Sequence, residues 1–310
     1  VLIALMALFK IYLGSIIDDK VWKGVAEGLN YGLGFMVIFM LHFTVATKQP
    51  AMTAARFAEA VEKTPQGKSV NMKLAQLLVD VFRSQSIAVL GNVLIAMGLA
   101  ALIAFGYQYK TGEPLMNADQ IAYQLHSIDP FAGTLWFAAI AGVWLFCSGI
   151  ISGYFDNRSN YLNMRMRLTQ HPLLKKLMSE KSRVKFANYM HENYGSLIGN
   201  LCFGMLLGIT GVVGYLTHLP LDIRHVAFSS ANVGYIAVSG QFTYSLLLQC
   251  IGFVLLIGLV NLIVSFSLTL WVALRSLNAE IDSWWPIWHE VCQIVKKRPL
   301  SLFLPVQLDK

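Results

Sequence analysis

Residues 243–274 read TYSLLLQCIGFVLLIGLVNLIVSFSLTLWVAL, a run without one Lys, Arg, Asp or Glu. Crossing a hydrocarbon layer of ~30 Å takes about 20 mostly apolar helical residues. At 1.5 Å per residue this run is ~48 Å long, so it tilts and projects into water at its basic end, next to Arg275. Lipid offers the backbone no hydrogen bonds, and a helix satisfies its N–H and C=O groups internally. The same reading applies to residues 1–17, 29–46, 87–107, 132–154 and 196–219. The expected fold is therefore all-α, a polytopic transmembrane bundle of about six spans.

Composition agrees. Of 310 residues, 56% are hydrophobic and 13% charged, about half the charge of an ordinary soluble domain. Mean hydropathy is +0.56. A soluble chain of this length needs more charge on its surface. The cysteines, Cys147, Cys202, Cys250 and Cys292, show neither C-x-x-C nor zinc spacing and read as packing residues. The chain opens on Val1 inside an apolar run, without the basic start and small-residue cleavage site of a signal peptide. An N-terminally truncated fragment is the expectation.

Lys and Arg are retained on the cytoplasmic side of a membrane. The segments 47–86, 155–195 and 275–310 hold nineteen of them, and the alternate segments 18–28, 108–131 and 220–242 hold four. Both ends are thus expected in the cytoplasm of a bacterial-type inner membrane, which gives the net charge of +7 a topological origin. Trp22, Tyr31, Tyr107, Tyr109, Trp136, Tyr215 and Tyr244 fall at the outer interface, Tyr154 and Trp271 at the inner one. Helical pieces are expected in the cytoplasmic loops. Among them is residues 72–83, whose Leu74, Leu77, Leu78, Val81 and Phe82 form a strip that would lie on the bilayer. The tail 276–310 contains Trp284-Trp285-Pro286-Ile287-Trp288, an interfacial anchor.

Three sets of residues are candidates for function. On the fifth span Asn200, Gly204, Gly208, Gly211 and Tyr215 share one side, a packing face or hinge. The fourth span offers a matching small strip, Ala138, Gly142, Gly149 and Ser152. On the sixth span Gly258, Asn261, Ser265 and Thr269 form a polar stripe, read as interhelical hydrogen bonding or a polar pathway. Lys10 is the one charged residue assigned inside a span and is expected to snorkel outward. The third set lies at two junctions: Asp156, Asn157 and Arg158 after the fourth span, and Asp222, Arg224, His225 and Asn232 after the fifth. Residues 219–235 are apolar enough to fold back into the membrane, which is allowed where a segment lines protein or a cavity.

The strings SGYFDNRSNY (152–161), GNLCFGMLLGITG (199–211), LPLDIRHVAFSSANVGY (219–235) and LFLP (302–305) resemble a proteobacterial family of membrane proteins that carries the name site-specific recombinase. The resemblance implies a multi-pass inner-membrane protein and, by that name, DNA recombination. The residues themselves contain no His-x-x-Arg pair of a tyrosine recombinase. Nor is any cytoplasmic segment long enough for the soluble α/β domain of a serine recombinase. Gly67-Lys68-Ser69 has Glu62 where a phosphate loop needs its first glycine, and no second His follows His191-Glu192 or His289-Glu290. No cofactor, metal or catalytic residue is therefore expected. A membrane scaffold or assembly factor is the first functional expectation, with anionic lipid, a membrane-protein partner or a second copy as contacts. A permease is the second and a DNA-associated membrane protein the third.

Overall fold

The computed structural model describes residues 2–43, 54, 57–61, 68–239, 242–279, 281 and 283–302. Among them there is no strand. The helices are α1 (Leu2–Ile16), α2 (Lys20–Met40), α3 (Lys68–Thr111), α4 (Ala118–Ile128), α5 (Thr134–Tyr161), α6 (Met164–Gln170), α7 (Pro172–Leu177), α8 (Glu180–Thr217), α9 (Val226–Ala237), α10 (Tyr244–Ser276) and α11 (Trp285–Lys297). Four of them, α3, α5, α8 and α10, are long and apolar enough to cross a membrane. α1 is apolar but only 15 residues long.

The bundle is built around α8, which uses two faces. On one, Gly204 and Gly208 meet Gly32 and Gly28 of the antiparallel α2, so closely that a Cβ on either α8 glycine would overlap the α2 backbone. Gly24 continues the seam against Val212. On the other face Gly195 and Gly199 receive Ser152 and Ser148 of α5. α5 in turn packs Gly142 on Val264 and the Asn261 carbonyl of α10. We call the end carrying Ile16, Thr111 and Thr217 the upper end, and the one carrying Tyr161, Glu180 and Ser276 the lower.

Several sequence expectations need correction. The second helix begins at Lys20 rather than 29, because Asp19 caps it: its Oδ1 accepts from the N–H groups of Val21 (3.0 Å) and Trp22 (2.8 Å). Glu27 therefore stands inside a helix, 3.3 Å from Lys10, so Lys10 has an ion-pair partner where snorkelling was expected. Residues 72–83 do not form a separate surface helix. They are the start of α3, and Leu74, Ala75 and Val79 are buried. Leu74 and Ala75 share a cluster with Phe57, Leu270 and Ile287, and Leu77 and Leu78 pack against it, while Phe82 is exposed. Tyr31 is 1% exposed, in contact with Phe228 and not in an interfacial belt. The remaining aromatic residues of both belts are exposed. The loop expected at 108–131 contains α4, started by a reciprocal Asn117–Gln120 capping box. Residues 303–305, the end of the LFLP string, lie outside the described residues.

The glycine seam makes a sharp prediction. Gly208→Ala or Gly204→Ala forces α2 and α8 apart and costs about 1–3 kcal/mol, as overpacking does elsewhere. Gly98→Ala, on an open surface of α3 with no atom near the new methyl, is neutral or slightly stabilising. Thermal unfolding of the three variants in one detergent checks the contrast, and equal melting temperatures would refute it.

Candidate functional site

Between α8 and α10 the chain turns back into the bundle. His218 ends α8 in the left-handed conformation (φ 56°), and the following segment runs down among the helices. Its backbone is held at several points. Trp136 Nε1 donates to the Pro220 carbonyl (3.1 Å) and Arg224 N to the Phe137 carbonyl (3.2 Å). The Arg224 guanidinium donates from Nη1 to Asp222 Oδ2 (2.6 Å) and to the Ile223 carbonyl (2.8 Å), and from Nε to the Ser127 carbonyl (2.8 Å). Phe137 lies 5.4 Å beneath the same group. Each non-helical carbonyl so used is one fewer unsatisfied group in an apolar interior.

The descent stops at His225, whose ring is 5.5 Å from that of Phe203. Fourteen residues separate Phe203 from the end of α8, roughly 21 Å of helix. From there α9 climbs back, with ten of its twelve residues buried. Gly234 lies on the Met97 carbonyl of α3, and the Tyr235 hydroxyl donates to the Ala4 carbonyl of α1 (2.6 Å). A helix of ~18 Å is too short to cross a bilayer. Together, descending segment and half-helix form a re-entrant pair.

Asn261 of α10 secures the turning point. Its Oδ1 accepts from Val226 N (3.1 Å), the first helical N–H of α9, and its Nδ2 donates to the carbonyls of Ala138 (2.7 Å) and Arg224 (3.0 Å). Gly258, one turn away, leaves room for the Val226 side chain. Ser265 and Thr269 donate to carbonyls of their own helix, Leu262 and Ser265. Of the sixth-span stripe, Asn261 and Gly258 thus meet the re-entrant pair.

Above His225 opens a cavity of about 510 Å³. Its walls are Lys10 and Gly14 of α1, Lys23, Glu27 and Tyr31 of α2, Asp119, Gln120 and Tyr123 of α4, the segment Asp222–His225, and Ser229 and Asn232 of α9. Three cations and three anions line it, in two formed pairs, Lys10–Glu27 and Arg224–Asp222, with Lys23 and Asp119 in no ion pair among the described residues. Below, His225 also borders a small cavity of about 60 Å³ lined by Gln85, Asn92, Asn261 and Ser265. The rings of Phe35, Phe203 and Phe228 surround His225 between the two.

The chamber gathers four residues singled out in the sequence, Asp222, Arg224, His225 and Asn232, around partners that periodicity did not select. Lys23, Glu27 and Asp119 are ordinary charges in sequence, and only the Asp19 and Asn117 caps signal that helices carry them to the site. The other candidates lie elsewhere. Asn200 bonds to the Ser196 carbonyl within α8, a Cβ on Gly211 would lie 3.9 Å from Asp222 Oδ1, and Tyr215 is 48% exposed with Lys20 4.4 Å above its ring. At the lower junction Asp156 Oδ1 accepts from Gly195 N (3.0 Å), while Asn157 and Arg158 are exposed. Ser159 Oγ lies 3.1 Å from His191 Nδ1 and donates to the His191 carbonyl. That junction ties α5 to α8. Among the described residues no three metal-ligating side chains cluster.

Fold and site define a class: a helical bundle with membrane-span-capable helices, a re-entrant half-helix and a polar chamber above it. The family model described as site-specific recombinase matches residues 1–305, and the chain belongs to that family. No curated protein and no solved structure matches it.

Because Asn261 meets three backbone groups, Asn261→Ala leaves buried donors and acceptors unpaired. The expected loss is about 1–3 kcal/mol, against roughly 0.5 kcal/mol or less for Ser265→Ala, whose hydroxyl bonds within its own helix. Chemical unfolding of both variants tests the ranking, and the reverse order would show that Asn261 does not secure α9.

Proposed function

We propose that this chain is a multi-pass protein of a bacterial inner membrane that admits a small polar solute through its upper chamber. α1, α2, α3, α5, α8 and α10 make six crossings with both ends in the cytoplasm, which places the chamber on the outer side. The bias of nineteen basic residues against four supports that orientation. The observation that carries the function is the chamber itself. It reaches down to a half-helix whose non-helical lead-in forms part of its wall. In a bilayer such backbone is tolerated where it is buried in protein or lines a cavity, and transporters build solute sites from broken helices of this kind. A scaffold needs neither a chamber nor a re-entrant helix, so passage is favoured over the scaffold role. His225 and its three Phe neighbours close the floor, which corresponds to a state open outward and shut inward.

Cysteines introduced at Lys23 and Asp119 in a Cys292→Ser background should react with a membrane-impermeant thiol reagent on intact cells, and one at Lys175 should not. Proteoliposomes holding the full chain should take up at least one of a panel of neutral, singly charged and zwitterionic small solutes. The floor-filling pair Ser229→Leu and Asn232→Leu should abolish that flux. A chain that is folded yet neither binds nor moves any member would end the proposal.

One observation favours a second reading, which the family name supplies. Arg165, Arg167, Lys175, Lys176, Lys181 and Lys185 are exposed together at the lower end, on α6, α7 and the start of α8. Such a face suits anionic lipid first and nucleic-acid phosphate second. If DNA is its partner, full-length protein in zwitterionic nanodiscs binds a duplex with an affinity that falls steeply with salt. Binding that is absent, or lost once anionic lipid is included, leaves lipid as the partner.

A further inference from the structure

We propose that the chamber selects a small zwitterion, with its anionic end toward Lys23 and its cationic end toward Asp119. The inference rests on the chamber being a solute site, and it names the class of solute. It follows from how the charges there are committed.

Glu27 is the Lys10 partner at 3.3 Å, its side chain 13% exposed, and Arg224 holds Asp222 at 2.6 Å while its Nε and Nη1 also donate to two carbonyls. These two pairs are internally neutral and hold the walls. What remains outside an ion pair among the described residues is one cation and one anion on separate walls. Lys23 stands on α2 with its Nζ close to α1, 3.1 Å from where a Cβ of Gly14 would be. Asp119 lies in the first turn of α4 and lines the chamber from that side. Neither is in an ion pair among the described residues.

A solute with net charge would enter a recess that has no surplus charge to meet it. It would leave either Lys23 or Asp119 unmatched while losing its own hydration. A zwitterion brings one partner to each. α9 adds neutral hydrogen-bonding groups to the wall, Ser229 and Asn232, and His225, 9% exposed, lines the chamber below them.

The test is a titration of the full chain in nanodiscs, followed by calorimetry. Its probes are the ω-amino acids from glycine to 6-aminohexanoate, butanoate, butylammonium and erythritol. At least one ω-amino acid should bind, about tenfold or more tighter than butanoate, butylammonium and erythritol, the effect of one charge-assisted hydrogen bond. Lys23→Gln should weaken the zwitterion and shift preference to butylammonium. Asp119→Asn should weaken it and shift preference to butanoate. This inversion of charge preference is a result that loss of folding cannot imitate. If erythritol or a singly charged probe binds best to the unaltered chain, the zwitterion inference is wrong and the chamber remains a solute site. If the zwitterion binds and both variants bind it equally well, the assignment of Lys23 and Asp119 is wrong. Should none of the probes bind to a chain shown folded by its melting transition, both the inference and the solute function fall.

Discussion

α2 and α8 meet backbone against backbone, where Gly28 and Gly32 lie against Gly208 and Gly204. Nothing but hydrogen fits on those α8 Cα atoms. In hydrocarbon, apolar side chains gain little by leaving lipid for one another, so helices associate through close packing and hydrogen bonds. Backbone-to-backbone contact maximises the first. It also fixes the height of α2 on α8, and so the heights of Lys23, Glu27 and Tyr31 on the chamber wall. α1, joined to α2 by a short turn, is carried to the same place, where Asn30 Nδ2 donates to the Met6 carbonyl (2.9 Å). Without this seam the chamber loses two walls.

Opposite that seam, polar side chains fasten what glycine cannot. Asn261 bonds to three different stretches of backbone, and Arg224 to two carbonyls and a carboxylate. These bonds let an irregular segment descend roughly 21 Å into an apolar bundle without abandoning its polar groups. The half-helix α9 is then sealed by α3, α10 and α1, with Gly234 and Gly258 giving it clearance. Structure and site are inseparable here. The same loop that must be satisfied by its neighbours forms the wall and floor of the cavity.

Much of this was legible in the residues. The long apolar runs on α3, α5, α8 and α10 are local features, and hydropathy over a window reads them directly. The strings around Asp222 and Arg224, and the possibility that residues 219–235 fold inward, were visible as apolar sequence interrupted by a turn and charges. Helix starts at Asp19 and Asn117 were also present as caps, but they lie in stretches where charge density suggested loops. Reading them as loops hid Glu27 and α4. Gly24-x-x-x-Gly28-x-x-x-Gly32 was equally present in the sequence, yet a small-residue strip does not say which helix it meets.

By itself the sequence determined that four long helices are apolar enough to cross a membrane, because transfer of some twenty apolar residues from water to hydrocarbon depends on composition alone. It also determined that Asn261 must find polar company, since an amide in an apolar surround has no other low-energy option. Only the tertiary structure decided which company. Gly204 and Gly208 chose α2 rather than α5, Asn261 turned to the backbone of a re-entrant segment, and Lys10 found Glu27. Those choices are contacts between residues far apart in the chain, 123 positions from Asn261 to Ala138 and more still from Gly28 to Gly208. They follow from shape and satisfied polar groups across the whole bundle, which no window along the chain contains.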